Sequence, residues 1–225
     1  MKNFRIEYED NHLIIVNKRA GLLTQGDKTD DLTLLDEVKQ YIKVKENKPG
    51  NVYLGLIHRL DRPTSGLVVL AKTSKALTRM NAMFQNRDVD KTYLAVVEKA
   101  PKTDTGTLEH YLLRNPQQNK SYASIEEKRN SKKAKLKYTT FKALDRFTVL
   151  EIELFTGRHH QIRSQLSAIG SIIKGDLKYG AKRPNRDKSI CLHSYKIAFI
   201  HPVSKEQIRV KGQPFSDTES IWKHV

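Results

Sequence analysis

The apolar positions change period several times along the chain. Phe4-Arg5-Ile6-Glu7-Tyr8 alternates, which predicts a half-buried strand, and Glu9-Asp10-Asn11 follows as a turn. Residues 13–16 are wholly apolar, the pattern of a short buried strand, and Asn17-Lys18-Arg19-Ala20-Gly21 follows as a loop. Leu34, Leu35, Val38, Tyr41 and Ile42 then recur at helical spacing. Thr33, with Asp36 three residues on, has the form of a capping box for that helix. The helix is expected to end near Val44, with residues 45–50 as a polar linker. Residues 54–57 and 67–71 predict strands. Thr73 or Ser74 can cap a helix that puts Ala76, Leu77, Met80, Met83 and Phe84 on one face, with Asn86 as its stop.

Residues 91–97 predict another strand. The polar stretch 101–137 is expected to run in hairpins, with 107–113 as one strand. Residues 138–143 and 147–155 predict two strands joined by a turn near Asp145-Arg146. Thr156-Gly157 then opens a helix with Ile162, Leu166 and Ile169 at i, i+4 and i+7, and Gly170 stands where a helix commonly ends. Residues 175–180 are rich in turn formers. Residues 190–199 and 207–210 predict the last strands. Asp217 and Thr218 begin a short terminal helix that buries Ile221 and Trp222. Hairpins interspersed with single helices, and no internal repeat, predict an α+β protein.

Composition narrows this picture. The 225 residues are 38% hydrophobic and 29% charged, and no run approaches the ~18 apolar residues of a membrane span. The first ten residues mix charges and lack an apolar core segment, so no secretion signal is read there. A cytoplasmic protein is expected. The single Cys191 precludes an intrachain disulfide or a multi-cysteine metal site, and between Ile190 and Leu192 it reads as a small core hydrophobe.

The net charge of +16 is unevenly spread. Residues 1–60 hold 10 Lys/Arg against 9 Asp/Glu, so almost the whole excess lies after residue 60. A field of that sign attracts polyanions, and nucleic acid is the expected partner. Residues 128–137 hold six basic residues and no acid. They read equally as a lysine-guarded hairpin edge and as a phosphate-contacting strip.

Candidate chemistry gathers at His58-Arg59-Leu60-Asp61-Arg62-Pro63-Thr64-Ser65-Gly66, just before the apolar strand 67–71. An acid at a loop lip anchored by core strands is a common setting for chemistry. Spacing alone favours a plainer reading, a salt-bridged turn with Arg59 or Arg62 as the partner of Asp61. Two other places hold residues able to converge on it. One is Tyr93, inside an otherwise apolar strand, with Lys91 before it. The other is Gly157-Arg158-His159-His160-Gln161-Ile162-Arg163. Adjacent histidines on a helix point about 100° apart and chelate poorly, so no metal site is expected. His58 reads as a hydrogen-bonded structural histidine. There is no P-loop, no G-x-G-x-x-G and no Cys/His cluster, so no cofactor is expected.

Several motifs in order carry a resemblance to a known family. They are His58-Arg59-Leu60-Asp61 with Thr64-Ser65-Gly66, then Lys91-Thr92-Tyr93 with Ala95, then Thr156-Gly157-Arg158 with His160-Gln161-Ile162-Arg163. Gly175-Asp176 with Tyr179-Gly180, and Leu192-His193 with His201-Pro202, complete the series. Together they resemble the RluA family of RNA pseudouridine synthases from about Tyr8 to about Lys211. The family's usual Lys-Pro-Ala-Gly is Lys18-Arg19-Ala20-Gly21 here. Its Arg-x-His-Leu is Arg163-Ser164-Gln165-Leu166, and the Gly-His after the helix is Gly170-Ser171.

The resemblance implies a pseudouridine synthase fold, with a central mixed, mostly antiparallel β-sheet flanked by helices and loops and an active-site cleft across the sheet. It also implies one catalytic domain over residues 1–225, without the S4-type RNA-binding domain that family members often carry. The implied reaction isomerises uridine in rRNA or tRNA without a cofactor. Asp61 is then the essential carboxylate, as nucleophile at C1′ or as base at C2′. Tyr93 packs on the base, Arg163 pairs with Asp61, and Arg59 occupies the space left by the flipped nucleotide. A monomer is the default expectation. A non-catalytic RNA-binding or RNA-folding factor on the same scaffold is the competing reading.

Overall fold

A computed structural model describes residues 3–26, 31–217 and 220–225. In chain order the elements are β1 (Phe4–Glu9), β2 (Leu13–Lys18), α1 (Leu34–Lys45), β3 (Gly55–Leu56), β4 (Ser65–Ala71) and α2 (Ser74–Asn86). They continue as β5 (Val89–Val97), β6 (Thr105–Asn115), β7 (Lys120–Ser124), β8 (Lys132–Ala143), β9 (Thr148–Leu154) and α3 (Gln161–Ala168). A 3₁₀ turn (Leu177–Tyr179), β10 (Leu192–Ile200), β11 (Gln207–Lys211) and a 3₁₀ segment (Ser220–His224) complete the chain. Strands far outnumber helices and those compared below pair antiparallel, so the class is α+β, as expected. The chain forms two compact units, one of Met1–Val89 with Ser194–Pro214, the other of Asp90–His193 with Phe215–Val225.

In the first unit the strands run in the order β1-β2-β4-β10, with β11 on β10 and β3 on β4. The β1–β2, β2–β4 and β10–β11 pairs are antiparallel. Every residue of β2 and β4 is buried, as the apolar runs 13–16 and 67–71 require. The strand β2 extends two residues beyond expectation. Asn17 and Lys18, read from sequence as loop, finish it at zero exposure. The register pairs Leu13 with Ala71 and Lys18 with Gly66, so Lys18 lies beside the start of β4. Gly66 has φ +117, and a Cβ there would stand 2.3 Å from the Ser194 backbone nitrogen and oxygen. Only glycine fits so close a passage of one strand past another.

Helix α1 starts as its sequence predicts. The Thr33 hydroxyl accepts from the Asp36 amide at 3.2 Å, and the Asp36 carboxylate accepts from the Thr33 amide at 3.1 Å. Leu34, Val38 and Ile42 are its buried face. Helix α2 is capped by Thr73 and stops at Arg87, in the left-handed region at φ 68, one residue past the expected Asn86. Ala76 and Met80 are buried in one cluster with Leu13, Ile15, Leu67 and Val69, and Leu77, Met83 and Phe84 pack against it. The methionine and phenylalanine stripe is core material.

The second unit's sheet has the order β5-β9-β8-β6-β7, and all four pairings are antiparallel. Of residues 128–137, read as a hairpin edge or a phosphate-contacting strip, 128–131 precede β8, 132–135 pair with β6, and from Leu136 the strand has partners on both sides. Strand β8 runs between β6 and β9, with Ala134, Leu136 and Tyr138 buried. Lysines hide a period-2 pattern here, because they alternate with the inward residues. They also form cross-strand pairs, Lys135 with Glu109 at 2.7 Å and Lys137 with Glu153 at 3.4 Å.

Helix α3 is shorter than expected. Thr156 and Gly157 lie outside it, and His160 precedes it in the left-handed region at φ 52. The far end is as predicted. Gly170, at φ 78, donates to the Ser167 carbonyl, and Ser171 to that of Leu166, both at 3.0 Å. That pair of bonds is a Schellman ending. Ile169 stands 37% exposed, so it is not the core contact its spacing implied. Cys191 is buried, and its sulfur accepts from Asn185 Nδ2 at 3.3 Å. Ile221 and Trp222 are buried, as predicted. Thr218, expected to begin the last helix, lies outside the described residues. Among those described, no helix is long and apolar enough to cross a membrane.

Candidate active site

In the first unit Asp61 lies on the loop between β3 and β4, half-buried, with Leu60 buried on one side and Arg59 exposed. The loop is braced from within and from outside. The Thr64 amide donates to the Asp61 carbonyl at 3.0 Å, closing a tight turn around Arg62-Pro63. The Thr24 hydroxyl donates to the Leu60 carbonyl at 2.9 Å and accepts from the Leu60 amide at 3.3 Å. The Gly21 amide donates to the Arg62 carbonyl at 2.7 Å, and Arg62 Nε donates back to the Gly21 carbonyl at 3.0 Å. Residues 60–62 are thus laced to the strand-end turn 19–24.

Arg62 reaches Asp31 with Nη1 at 2.9 Å, where both side chains are about half exposed. Its guanidinium therefore faces Gly21 and Asp31. His58 is structural, as expected. Its Nε2 accepts from the Val69 amide at 3.1 Å, and its ring stacks on Phe84 with centroids 4.8 Å apart.

Sequence reasoning passed over Lys18, which is the buried cation of this loop. Its Nζ donates to the carbonyls of Leu22 at 2.9 Å, Arg19 at 3.0 Å and Arg62 at 3.5 Å. Burial, opposed by Asp61 and aided by Arg62, brings the ammonium down to about 7. The signal was present in the chain. A lysine buried at the end of an apolar strand must find acceptors or lose its charge.

In the second unit Tyr93 sits in β5, opposite Ile152 of β9, and is buried. Burial also pulls the Lys91 ammonium below its ordinary range. Arg163, in α3, is 5% exposed and meets Asp176, 1% exposed, through two parallel bonds: Nε to Oδ2 at 2.7 Å and Nη2 to Oδ1 at 2.8 Å. Asp176 was legible as a motif residue but not as an ion partner. The guanidinium also lies 5.0 Å from the ring centre of Tyr179. The Tyr179 hydroxyl accepts from the Ser121 amide at 2.9 Å, donates to the Ser121 carbonyl at 3.1 Å and lies 3.0 Å from His160 Nδ1.

His159 and His160 lie before the helix and not on it. Their rings stack at 3.8 Å, and His159 bonds Ser121 Oγ at 2.8 Å and Asn119 Oδ1 at 3.1 Å. The pair braces the β7 hairpin to the start of α3.

Arg59 and Asp61 thus belong to the first unit, Tyr93 and Arg163 to the second. What the first unit offers chemically is one carboxylate on a stiff loop, beside a desolvated ammonium. That suits a reaction at a single electrophilic or acidic centre. Glycoside hydrolysis asks for two carboxylates flanking the bond.

Comparison with known proteins places the chain. The family described as RNA pseudouridylate synthase matches residues 12–168. The ribosomal large subunit pseudouridine synthase D of Zymomonas mobilis is 30% identical over 97% of this chain and 71% of its own length. Its counterpart in Xanthomonas campestris is 32% identical over 95% and 67%. This chain spans about two thirds of the length of such relatives. Among solved structures, human RNA pseudouridylate synthase domain containing 4 aligns with a TM-score of 0.81 over 97% of this chain and 90% of that one, at 22% identity. Human RNA pseudouridylate synthase domain containing 1 aligns at 0.75, with 25% identity, over 95% and 84%. The chain belongs to the RNA pseudouridylate synthase family, whose members are isomerases acting on RNA.

Proposed function

We propose that this chain isomerises uridine to pseudouridine in rRNA or tRNA, with Asp61 as the essential carboxylate. The observation that carries the assignment is the setting of Asp61. It is the acid of the matched motifs that stands half-exposed on a loop tied at residues 60, 61 and 62. A carboxylate held that way is aimed before substrate arrives, so less ordering is left to the reaction itself.

The reaction breaks the C1′–N1 bond, turns the uracil and forms a C1′–C5 bond. The C5 proton leaves and N1 gains one, so product and substrate are isomers. Asp61 serves as nucleophile at C1′ or as base at C2′. Tyr93 packs on the uracil, Arg163 acts as the cation serving the carboxylate, and Arg59, exposed, enters the space of the extruded nucleotide. Those three roles come from the motif resemblance. Extruding a stacked base costs a few kcal/mol. The +16 charge offsets that through phosphate contacts, and binding weakens as salt rises. A monomer working in the cytoplasm completes the reading.

The test is tritium release from C5-labelled uridine in RNA. Asp61→Asn should abolish release and leave RNA binding within a few-fold of the parent. Full release by the folded Asp61→Asn protein would remove Asp61 from the mechanism. No release by the parent protein on rRNA or tRNA would favour a non-catalytic RNA-binding factor.

A further inference from the structure

We propose that the solvent face of the second unit's sheet is a stacking platform for a single-stranded segment of RNA, built from Tyr111, Tyr122 and Phe155 with Lys120, Lys133 and Lys135. The inference rests on the reading of the chain as acting on RNA and adds a second contact surface, for nucleotides other than the uridine that reacts.

Register puts the six side chains on one face. Tyr122 of β7 stands opposite Leu113 of β6, and Tyr111, two residues away, stands opposite Lys133 of β8. Lys135 lies two residues further on, and its carbonyl accepts from the Phe155 amide at 3.2 Å, just past the end of β9. Residues two apart on a strand share a face. The alternate residues Leu112, Ser121, Ala134 and Leu136 are buried and form the other face. Tyr93 belongs to that other face, because it pairs with Ile152 and Ile152 pairs with Tyr138. The platform is therefore the reverse of the surface that carries Tyr93.

Two of the rings stand in water, Tyr122 at 46% exposure and Phe155 at 40%. Sheet stability asks for less, since a valine or isoleucine would suit the pleat and present less apolar surface. Each ring also has an ammonium beside it. Lys120 Nζ lies 5.3 Å from the ring centre of Tyr122, Lys133 Nζ 5.8 Å from that of Tyr111, and Lys135 Nζ 5.9 Å from that of Phe155. A base stacks on such a ring while the lysine swings to its phosphate, so each couple serves both parts of a nucleotide. The Tyr122 hydroxyl donates to Gln118 Oε1, which orients the ring beforehand. With strands about 4.8 Å apart, β7 to β9 spans about 14 Å, and open sheets of that size stack two or three bases.

Charge selects nucleic acid as the occupant. Residues 128–137 hold six basic residues and no acid, and exposed Arg158 joins them, its Nε donating to the Lys133 carbonyl at 3.1 Å. Glu109 and Glu153, acids of this face, bond Lys135 and Lys137. Lys120 Nζ also lies 5.1 Å from the ring centre of Tyr179, which carries the Arg163 guanidinium at 5.0 Å. The two faces thus adjoin at β7, the last strand in the order.

The probe is fluorescein-labelled oligoadenylate, which stacks well and holds no uridine, titrated against the full chain. Tyr122→Val with Phe155→Val should weaken binding at least tenfold, because two stacking rings are lost. Valine keeps the strand preference, so the melting temperature should stay near that of the parent. On rRNA the same variant should release tritium with kcat within twofold of the parent and KM raised at least fivefold. Lys133→Gln with Lys135→Gln should lower the slope of log affinity against log salt by about one. Oligoadenylate binding by the folded valine variant within twofold of the parent overturns the inference. So does sedimentation showing a dimeric parent and a monomeric valine variant, since the face would then belong to a second copy of the chain. Should the valine variant fail to fold, ultraviolet crosslinking of the parent to oligoadenylate decides. Attachment at Tyr111, Tyr122 or Phe155 is expected, and attachment at none of them overturns the inference. Oligoadenylate binding involves no chemistry, so failure of the parent to release tritium bears on the isomerase reading alone.

Discussion

Arg163 and Asp176 form a two-point ion pair with almost no exposure, Nε to Oδ2 at 2.7 Å and Nη2 to Oδ1 at 2.8 Å. Thirteen residues separate them, and the Schellman ending of α3 and the turn before the 3₁₀ segment bring them together. Removing one partner of such a pair leaves a buried charge without its counter-ion. Asp176→Ala should destabilise the protein by about 3 kcal/mol, read as a lower urea midpoint with an unchanged slope. The double substitution Arg163→Met with Asp176→Leu should recover most of that stability, because apolar replacements of buried pairs are often tolerated. It should still lack tritium release, which separates the pair's structural role from the role proposed for Arg163.

Lys18 makes stability depend on pH in a defined direction. Its pKa is about 7 in the folded protein against 10.5 for the ordinary side chain. Between those values the unfolded chain binds more protons than the folded one, so stability rises with pH across that window and is flat below it. The rise from pH 7 to pH 9 attributable to Lys18 is about 2–3 kcal/mol. Subtracting the urea-derived profile of Lys18→Met from that of the parent should reveal it. A flat difference curve would contradict the burial of the ammonium.

Gly66 should tolerate no side chain. With φ +117 and the Ser194 backbone 2.3 Å from a Cβ position, Gly66→Ala forces β4 and β10 apart as well as straining its own backbone. A loss of more than about 3 kcal/mol is expected, in the range of severe substitutions. The measurement is the soluble yield and the melting temperature of the variant, and a near-parental melting temperature would refute the close passage.

Thr33→Ala removes the hydroxyl half of the α1 capping box and leaves the Thr33 amide donating to the Asp36 carboxylate. The cost expected is about 1 kcal/mol. For a chain of this size that lowers the melting temperature by roughly 2–4 °C. Thr33→Asp should restore most of it, since aspartate caps as well as threonine.

Much of the fold was written in local pattern. The apolar runs 13–16 and 67–71 became the buried strands β2 and β4, and the Thr33–Asp36 box began α1 where expected. Gly170 ended α3 by the predicted motif. Misreadings fell where charged residues masked a period. The lysines of β8 hid an interior strand, because the eye for hydrophobicity counts residues and the sheet counts only those facing inward. The start of α3 was missed because His160 adopts a left-handed backbone that tertiary bonds to Tyr179 support and local propensity does not.

By itself the sequence determined the α+β class, the loop that carries Asp61 and the ordered motifs that mark an RNA pseudouridylate synthase. Short-range periodicity and capping encode the class and the strands that flank the loop, and the family follows from the resemblance that the motifs carry; neither needs knowledge of what lies across the sheet. Only the tertiary structure decided that Lys18 is sealed beneath the Asp61 loop, that Arg62 turns to Asp31, and that Arg163 meets Asp176. Each of those pairings depends on strand register and on turns between distant segments. A charged side chain's neighbours are set by that geometry, and its own residue type leaves them open.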